Sequence, residues 1–142
     1  MSKSDAFEND LLKLIFNGTA IANIADNAAA SPLANLYVAL HTADPGDPGD
    51  QSTSEAAYSG YQRVAVARSS GGWAVTGNSV SPVANVDFPE SAGSGSTITH
   101  WSVGVASSGA SKILYSGTVT PNIAIAAGVA PRIKTTSTVT ED

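Results

Sequence analysis

The chain has 142 residues and no cysteine, with 42% hydrophobic residues, 13% charged residues and a net charge of −5. This length fits one ordinary domain, and a hydrophobic core must stabilise it because no disulfide can form. Seven Lys and Arg against twelve Asp and Glu leave no concentrated basic face, which argues against nucleic acid and anionic membranes as partners. Neither a membrane span nor a secretory signal is recognisable. We therefore expect a folded domain made in a cytoplasm.

Residues 5–16 carry the pattern of a short amphipathic helix. Four apolar residues recur at helical spacing and form one predicted stripe: Phe7, Leu11, Leu14 and Ile15. Asp5 followed by Glu8 resembles a capping box, and Asn17-Gly18 supplies a stop signal. The Ala/Asn-rich stretch 19–34 then forms either a weak second helix or an extended arm. The pattern predicts a helix and arm over 1–34, followed by a β domain over 35–142.

The periodicity changes from helical to alternating at Leu36. Leu36, Val38 and Leu40 share one face of a predicted strand, which we expect to face the core. Tyr37 and His41 lie on the opposite, polar face.

A loop over 43–60, rich in Asp, Pro and Gly, is followed by further short alternating segments. These are residues 61–68, 73–76, 79–88, 97–106, 112–119, 122–127 and 132–139. No helical pattern between them is long enough for a parallel crossover, so the sheets should be antiparallel. Eight strands with one apolar face require a sandwich or a barrel. We predict an all-β, jelly-roll-like sandwich of about eight strands with one N-terminal helix; an immunoglobulin-like sandwich is the competitor.

Few residues offer chemistry. His41 and His100 lie on the polar phase of their strands, and we interpret them as partly exposed strand residues rather than catalytic bases, since no nucleophile elbow precedes a helix. Asp44, Asp47 and Asp50 recur every third residue; the repeated Asp-Pro-Gly favours β-turns over a calcium site, because it lacks the ligand order of an EF-hand. No glycine-rich loop opens a helix to hold phosphate. The sequence therefore predicts no enzyme, cofactor or metal.

Two further pairs of residues have structural interpretations. Trp73 and Trp101 are predicted to be core aromatics rather than a ligand platform. Arg132 and Lys134 point to the same side of the predicted last strand. They either meet a partner's carboxylates or are solvated charges that protect a sheet edge.

Four blocks carry a resemblance to a known family. They are Leu-Tyr-Val-Ala-Leu-His-Thr-Ala-Asp-Pro at 36–45, Gly-Tyr-Gln-Arg-Val-Ala-Val at 60–66, Val-Asp-Phe-Pro at 86–89, and Thr-Ile-Thr-His-Trp-Ser-Val-Gly at 97–104. In this order the chain resembles small structural proteins of tailed phages and prophages, from about residue 7 to residue 133. Relatives are often labelled tail-fibre proteins, and some are jelly-roll capsid cement, or decoration, proteins. The charged C-terminal strand and the long arm over 19–34 depart from the family pattern.

The resemblance implies a non-enzymatic capsid cement protein on the outer surface of a bacteriophage virion. Its partners would be the major capsid protein and a second copy of itself, most simply as a homodimer. The alternative is a tail-fibre or baseplate component that recognises a host receptor, which should expose aromatic residues on loops. The loop 43–60 offers only Tyr58, and the loop 89–96 offers none. A carbohydrate-active jelly-roll enzyme or a calcium lectin is a third alternative.

The partner contacts are predicted on the N-terminal segment and the last strand. The candidate residues are Phe7, Leu11, Ile21, Ile24, Arg132 and Lys134.

Overall fold

A computed structural model describes residues 5–21 and 33–141, which contain one helix and nine strands. The helix is α1, Asp5–Asn17. The strands are β1 Asn35–His41, β2 Val64–Ala67, β3 Trp73–Thr76, β4 Ser79–Pro82, β5 Val86–Asp87, β6 Ile98–Gly104, β7 Ile113–Ile123, β8 Arg132–Ile133 and β9 Val139–Thr140. The fold is thus mostly β with one short N-terminal helix, as predicted.

The strands form three antiparallel sheets. The largest has four strands in the order β2-β1-β6-β7, the second has the order β3-β4-β9, and the third pairs β5 with β8. In the large sheet, Leu40 of β1 lies opposite Trp101 of β6, and Trp101 lies opposite Gly117 of β7. The antiparallel pairing is confirmed, while the jelly-roll order of strands stays a prediction.

Three predicted strand boundaries are wrong for identifiable reasons. The predicted strand 79–88 is two strands, since β4 pairs with β3 and β9 whereas β5 pairs with β8. The predicted strand 132–139 divides into β8 and β9 in the same way. Conversely, the two segments predicted at 112–119 and 122–127 merge into β7, which runs through Pro121. An edge strand tolerates proline because its outer side needs no backbone donor.

The chain divides into two compact units. The first, called the helical unit, comprises Met1–Asn35, Val66–Asn85 and Lys134–Asp142, and the second, called the sheet unit, comprises Leu36–Ala65 and Val86–Ile133. The division predicted from sequence, 1–34 and 35–142, stays a prediction.

In the helical unit, α1 packs on β3 and β4. Leu12 and Phe16 are fully buried, and the Phe16 ring meets the edge of Trp73 with centroids 4.8 Å apart. The predicted stripe occupies an adjacent arc of the helix: Phe7 is 39% exposed and Leu11 is half-buried. The buried arc is instead that of residues 8, 12 and 16, because Phe16 packs against Trp73.

The C-terminal end of α1 is capped by a side chain from outside the helix. Gly18 adopts a left-handed φ of 66°, so the chain turns there, as the sequence predicts. The last carbonyls of a helix have no partner within it. Arg68 supplies one: its Nε donates to Ile15 O and its Nη2 donates to Leu14 O, both at 2.6 Å.

In the sheet unit, β1 is buried on both faces. Leu36, Val38 and Leu40 are at most 1% exposed, as predicted, but Ala39 and His41 are also fully buried. The prediction of a partly exposed His41 is wrong. Alternation alone could not show that the loop 43–60 folds back over the second face of this strand. Trp101 is 7% exposed here, and Trp73 of the helical unit is 1% exposed, so both tryptophans are core residues.

Candidate interaction surface and the network beneath it

A buried polar network lies beneath the loops of the sheet unit. We call it the polar network, and its members are His41, Gln51, Glu55, Tyr61, Arg63, Ser102 and Ser111. These residues come from β1, β6, the loop 43–60, the segment before β2 and the segment before β7. Its hydrogen bonds connect positions up to 61 residues apart in the chain.

Arg63 is the hub of the polar network. It is 8% exposed and forms a bidentate ion pair with Glu55, with Nε to Oε1 at 2.7 Å and Nη2 to Oε2 at 2.8 Å. Nη1 donates to Ala106 O at 3.0 Å and to Ser111 Oγ at 3.1 Å, and Nη2 donates to Gly109 O at 2.7 Å. The hydrogen bonds to Glu55 raise the pKa of Arg63. The guanidinium therefore uses its donors to tie two loops together.

Tyr61 completes the environment of the Glu55 carboxylate. Its hydroxyl donates to Glu55 Oε1 at 3.0 Å and accepts the Leu40 backbone N–H at 3.0 Å. Its ring stacks on Phe88 with centroids 6.2 Å apart and planes 6° apart. Burial raises the pKa of the Tyr61 hydroxyl well above its usual value. The phenol thus stays protonated and serves as a donor to the carboxylate.

Gln51 fills the centre of the polar network and is fully buried. Its amide nitrogen donates to Tyr37 O at 2.9 Å and to Ser102 Oγ at 3.3 Å. Its amide oxygen accepts from Ser111 Oγ at 2.8 Å and from Arg63 Nη1 at 3.3 Å. A buried amide is stable only when both ends have partners, and here both do.

His41 and Ser102 form a buried hydrogen-bonded pair. His41 Nδ1 lies 2.9 Å from Thr53 O, and Nε2 lies 2.8 Å from Ser102 Oγ. A carbonyl only accepts, so Nδ1 carries the proton and Nε2 accepts from the Ser102 hydroxyl. Burial lowers the pKa of His41 below its usual 6.5, which favours this neutral form.

The distance between Ser102 and His41 is that of a nucleophile and its base. Both residues are fully buried, and Ser102 Oγ also accepts a hydrogen bond from Gln51 Nε2. A substrate carbonyl has no approach to Ser102 Oγ while the sheet is intact. The arrangement holds the loop 43–60 against β1 and β6.

The loop 43–60 also has its own internal supports. Asp44 Oδ1 accepts the Gly46 N–H at 2.9 Å, and Asp50 Oδ1 accepts the N–H and hydroxyl of Ser52 at 2.7 Å and 2.6 Å. These bonds lower the pKa of Asp50. The turn interpretation is thereby confirmed for Asp44 and Asp50, whose carboxylates cap turns of the backbone.

Two of the clefts on the sheet unit are lined entirely by residues that the structure describes. One, of about 460 Å³, lies beside the ion pair of Arg63 and Glu55 and is walled on its other side by residues 107–109. The second, of about 450 Å³, lies between Gly46 and Asp47 on one side and residues 113–116 of β7 on the other. Arg63 bonds both Glu55 and Gly109 O, so the polar network ties together the two walls of the first cleft.

The residues predicted to be partner contacts differ in their exposure and in their partners. Phe7 is exposed, Leu11 is half-buried and Ile21 is buried. Arg132 is exposed but directly opposite Asp87 across β5 and β8, and its Nε bonds Asp87 Oδ1.

The two remaining candidates are placed differently. Lys134 is exposed and follows the end of β8. Ile24, with the rest of residues 22–32, lies outside the described residues. Sequence reasoning missed Gln51 and Arg63 altogether, although an arginine in the apolar block 60–66 with a glutamate eight residues before it was a signal of a buried pair.

Residues 2–141 match the family described as Podophage GP4 fiber I protein gp80. The chain belongs to this family. The match covers nearly every residue, which identifies a bacteriophage structural protein of the virion, as the resemblance implied. No curated protein matches the chain. For this gp80-family chain, the single helix within the described ranges, 13 residues long, does not meet the length and apolarity of a membrane span.

Proposed function

We propose that this protein is a non-enzymatic structural subunit of the virion fibre, which binds other virion proteins through surfaces formed before assembly. The observation that carries the proposal is the match of residues 2–141 to a family described as a podophage fiber I protein.

The chemistry of the sheet unit supports a role without catalysis. Three residues of the sheet unit carry polar groups of the kind that enzymes use: His41, Ser102 and Arg63. They are at most 8% exposed. His41 bonds Ser102, and Arg63 bonds Ser111. Such a network stabilises the loops, and the fold loses stability when one side chain of the network is removed. A structural subunit needs this property, because its loops must present the same surface in every copy.

The placement of the aromatic residues supports a role in building the fibre rather than in recognising a receptor. Tyr58, Phe88 and Trp101 are at most 7% exposed and pack within the sheet unit. Within the ranges 5–21 and 33–141, Phe7, at 39%, is the single well-exposed aromatic residue. Receptor and glycan sites depend on aromatic side chains that the solvent can reach. We therefore assign receptor recognition to another component of the virion.

Capsid cement is the second candidate. The block Leu-His-Thr-Ala-Asp-Pro at 40–45 supports it, because this block resembles cement proteins as well as fibre proteins. In that case the partners would be the major capsid protein and a second copy of this chain. Of the six residues predicted to be contacts, the exposed Phe7, Arg132 and Lys134 and the half-buried Leu11 are the ones proposed to meet another virion protein. Ile21 is buried, and Ile24 lies outside the described residues.

Immunogold electron microscopy of virions distinguishes the two candidates. Antibody raised against the purified chain should label the tail and its fibres, with the tail of virions lacking this protein as the unlabelled control. Label spread over the capsid shell would overturn the fibre proposal in favour of cement. Labelling must be repeated on intact and DNA-free particles, so that an epitope hidden by full capsids is not read as absence from the shell.

A further inference from the structure

Asn17 and Gly18, at the end of α1, form the single Asn-Gly pair of the sequence. An asparagine side chain loses ammonia when the backbone nitrogen of the next residue attacks its amide carbon. Glycine favours this attack, because it has no Cβ to obstruct the approach and its backbone adopts conformations that other residues avoid. Asn17 is therefore the asparagine of this chain with the highest intrinsic reactivity, and the fold around it controls how fast it reacts.

The folded helix keeps the two reacting atoms apart. Asn17 is the last residue of α1, and a helical residue has a ψ of about −42°. The five-membered imide requires the Gly18 nitrogen and Asn17 Cβ to be nearly eclipsed about the Cα–C bond of Asn17, which that ψ does not permit. The Thr19 N–H donates to Lys13 O at 3.1 Å and also holds the chain in this turn. Attack on Asn17 Cγ therefore requires the end of α1 to open.

Arg68 holds the end of α1 closed. Its side chain donates to Leu14 O and Ile15 O in the last turn of the helix. The same residue lies beside the glycine of the reacting pair, since a Cβ atom built on Gly18 would be 3.6 Å from Arg68 O and 3.8 Å from Arg68 Nη1. One residue from outside the helix therefore fixes both the last turn and the position of the attacking nitrogen.

The Asn17 side chain lowers the free-energy cost of opening this end. Its Oδ1 is buried and accepts no hydrogen bond from the part of the chain that the structure describes. A buried acceptor without a partner has lost its hydrogen bonds to water and gained none in return. Opening the end of α1 returns Oδ1 to water, which offsets part of the cost of breaking the Arg68 bonds. The same movement frees the amide carbon of Asn17 for attack.

We propose that Asn17 deamidates in the folded protein, at a rate set by how often the end of α1 that Arg68 caps opens. Hydroxide removes the Gly18 N–H proton, the nitrogen forms a bond to Asn17 Cγ, and the Cγ–Nδ2 bond breaks as ammonia leaves with a proton from water. Water then adds to one of the two imide carbonyls and gives aspartate or isoaspartate. The net reaction consumes water and releases ammonia, and it needs no oxidant or reductant.

The isoaspartate product changes how α1 ends. It lengthens the backbone by one carbon atom, because the former side-chain carbon then lies in the main chain. The last turn can no longer re-form against Arg68 as before, and Phe16 of that turn packs on Trp73 of β3. Deamidation should therefore loosen α1 from β3. This inference goes beyond the proposed function, and it applies equally to a subunit of the fibre or of the capsid.

The first experiment follows the purified full chain at mildly alkaline pH, with a parallel sample in urea, by peptide mapping and mass spectrometry. We expect residue 17 to convert in the folded chain, more slowly than in urea. Asn85 is the internal control and should stay unchanged, because the bulky Val86 follows it. Asn17→Gln cannot form the five-membered imide and should show no conversion at position 17. A folded chain that keeps Asn17 intact for several times as long as the urea sample needs to convert would overturn the proposal.

The second experiment tests the control by Arg68. Conversion of Asn17 should be about fivefold to thirtyfold faster in folded Arg68→Met than in wild type, in proportion to the more frequent opening of α1. Lys134→Met removes a charge at an exposed site of the same unit and should convert at the wild-type rate. In urea all three rates should be equal, because the reaction no longer waits for the helix to open.

Amide hydrogen exchange in the last turn of α1, measured on the same samples, should rise by the same factor as the conversion of Asn17. Equal conversion in folded Arg68→Met and wild type, or faster conversion without faster exchange, would overturn the control by Arg68. If Arg68→Met does not fold, Arg68→Lys takes its place, since lysine keeps the charge and loses the forked donors. Neither experiment uses virions, so its failure is distinct from a failure of the fibre assignment.

Discussion

Gly104 and Gln51 are fitted to each other so closely that no side chain can replace the hydrogen of the glycine. A Cβ atom built on Gly104 would lie 2.2 Å from Cδ and from Oε1 of Gln51. Gln51 cannot move aside without losing its bonds to Tyr37 O and Ser111 Oγ. The close approach of β6 to the loop 43–60 therefore depends on this glycine, although its φ is not left-handed.

Replacing Gly104 with alanine should destabilise the protein by roughly 2–4 kcal/mol, the cost of overpacking plus that of buried groups left without partners. The free energy of unfolding in urea measures the effect. Gly93→Ala is the matched control, because nothing lies within 4 Å of a Cβ built on Gly93. A G104A protein as stable as G93A would show that the Gln51 site is looser than the structure has it.

The ion pair between Arg63 and Glu55 should contribute far more than the pair between Arg132 and Asp87. The Arg63 side chain is 1% exposed, whereas that of Arg132 is 52% exposed. Replacing Arg63 with lysine removes the bidentate geometry and leaves buried acceptors unpaired, so we expect a loss of about 3 kcal/mol or more. Arg132→Lys should change stability by less than about 1 kcal/mol. Chemical unfolding of the two variants side by side measures the difference, and equal values would contradict it.

The sequence predicted the elements whose signals are local. Alternation located β1 and β3, helical spacing and Gly18 located α1, and repeated Asp-Pro-Gly located the turns of the loop. What it missed depends on contacts between distant residues. His41 looked exposed because alternation describes one strand and cannot show a loop that covers its second face. The polar network escaped notice because Gln51 and Arg63 carry no motif and find partners up to 60 residues away along the chain.

The cap that Arg68 places on α1 should control the local opening of that helix. Replacing Arg68 with methionine keeps much of the apolar stem and removes the donors to Leu14 O and Ile15 O. We expect faster amide hydrogen exchange in the last two turns of α1, by about fivefold to thirtyfold for a loss of 1–2 kcal/mol. Mass spectrometry of exchanged peptides locates the effect.

Lys134→Met is the control for the Arg68 experiment, because Lys134 is exposed and belongs to the same helical unit. It removes one positive charge without touching the end of α1. Exchange in α1 should then match wild type. Equal acceleration in both variants would assign the effect to net charge rather than to the cap.

Acidification should weaken the fold through His41. Because the folded state lowers the pKa of His41 below 6.5, the unfolded chain binds more protons once the pH falls below about 6.5. The free energy of unfolding should thus be constant near pH 7.5 and decline from pH 6.5 to 5.5, with a slope of at most about 1.4 kcal/mol per pH unit from this group. Stability returns on raising the pH, since neutral His41 again accepts from Ser102.

The test compares unfolding curves of wild type, His100→Gln and His41→Gln across this pH range. His100 is half-buried and bonds Thr99 Oγ1, and its replacement should leave the decline in place. His41→Gln should be less stable at pH 7.5 and lose the decline, because no group at position 41 then takes up a proton on unfolding. If His41→Gln does not fold, the His100→Gln variant alone decides the test. A decline that persists in His100→Gln supports His41 as its source, and a decline that disappears assigns the pH dependence to His100.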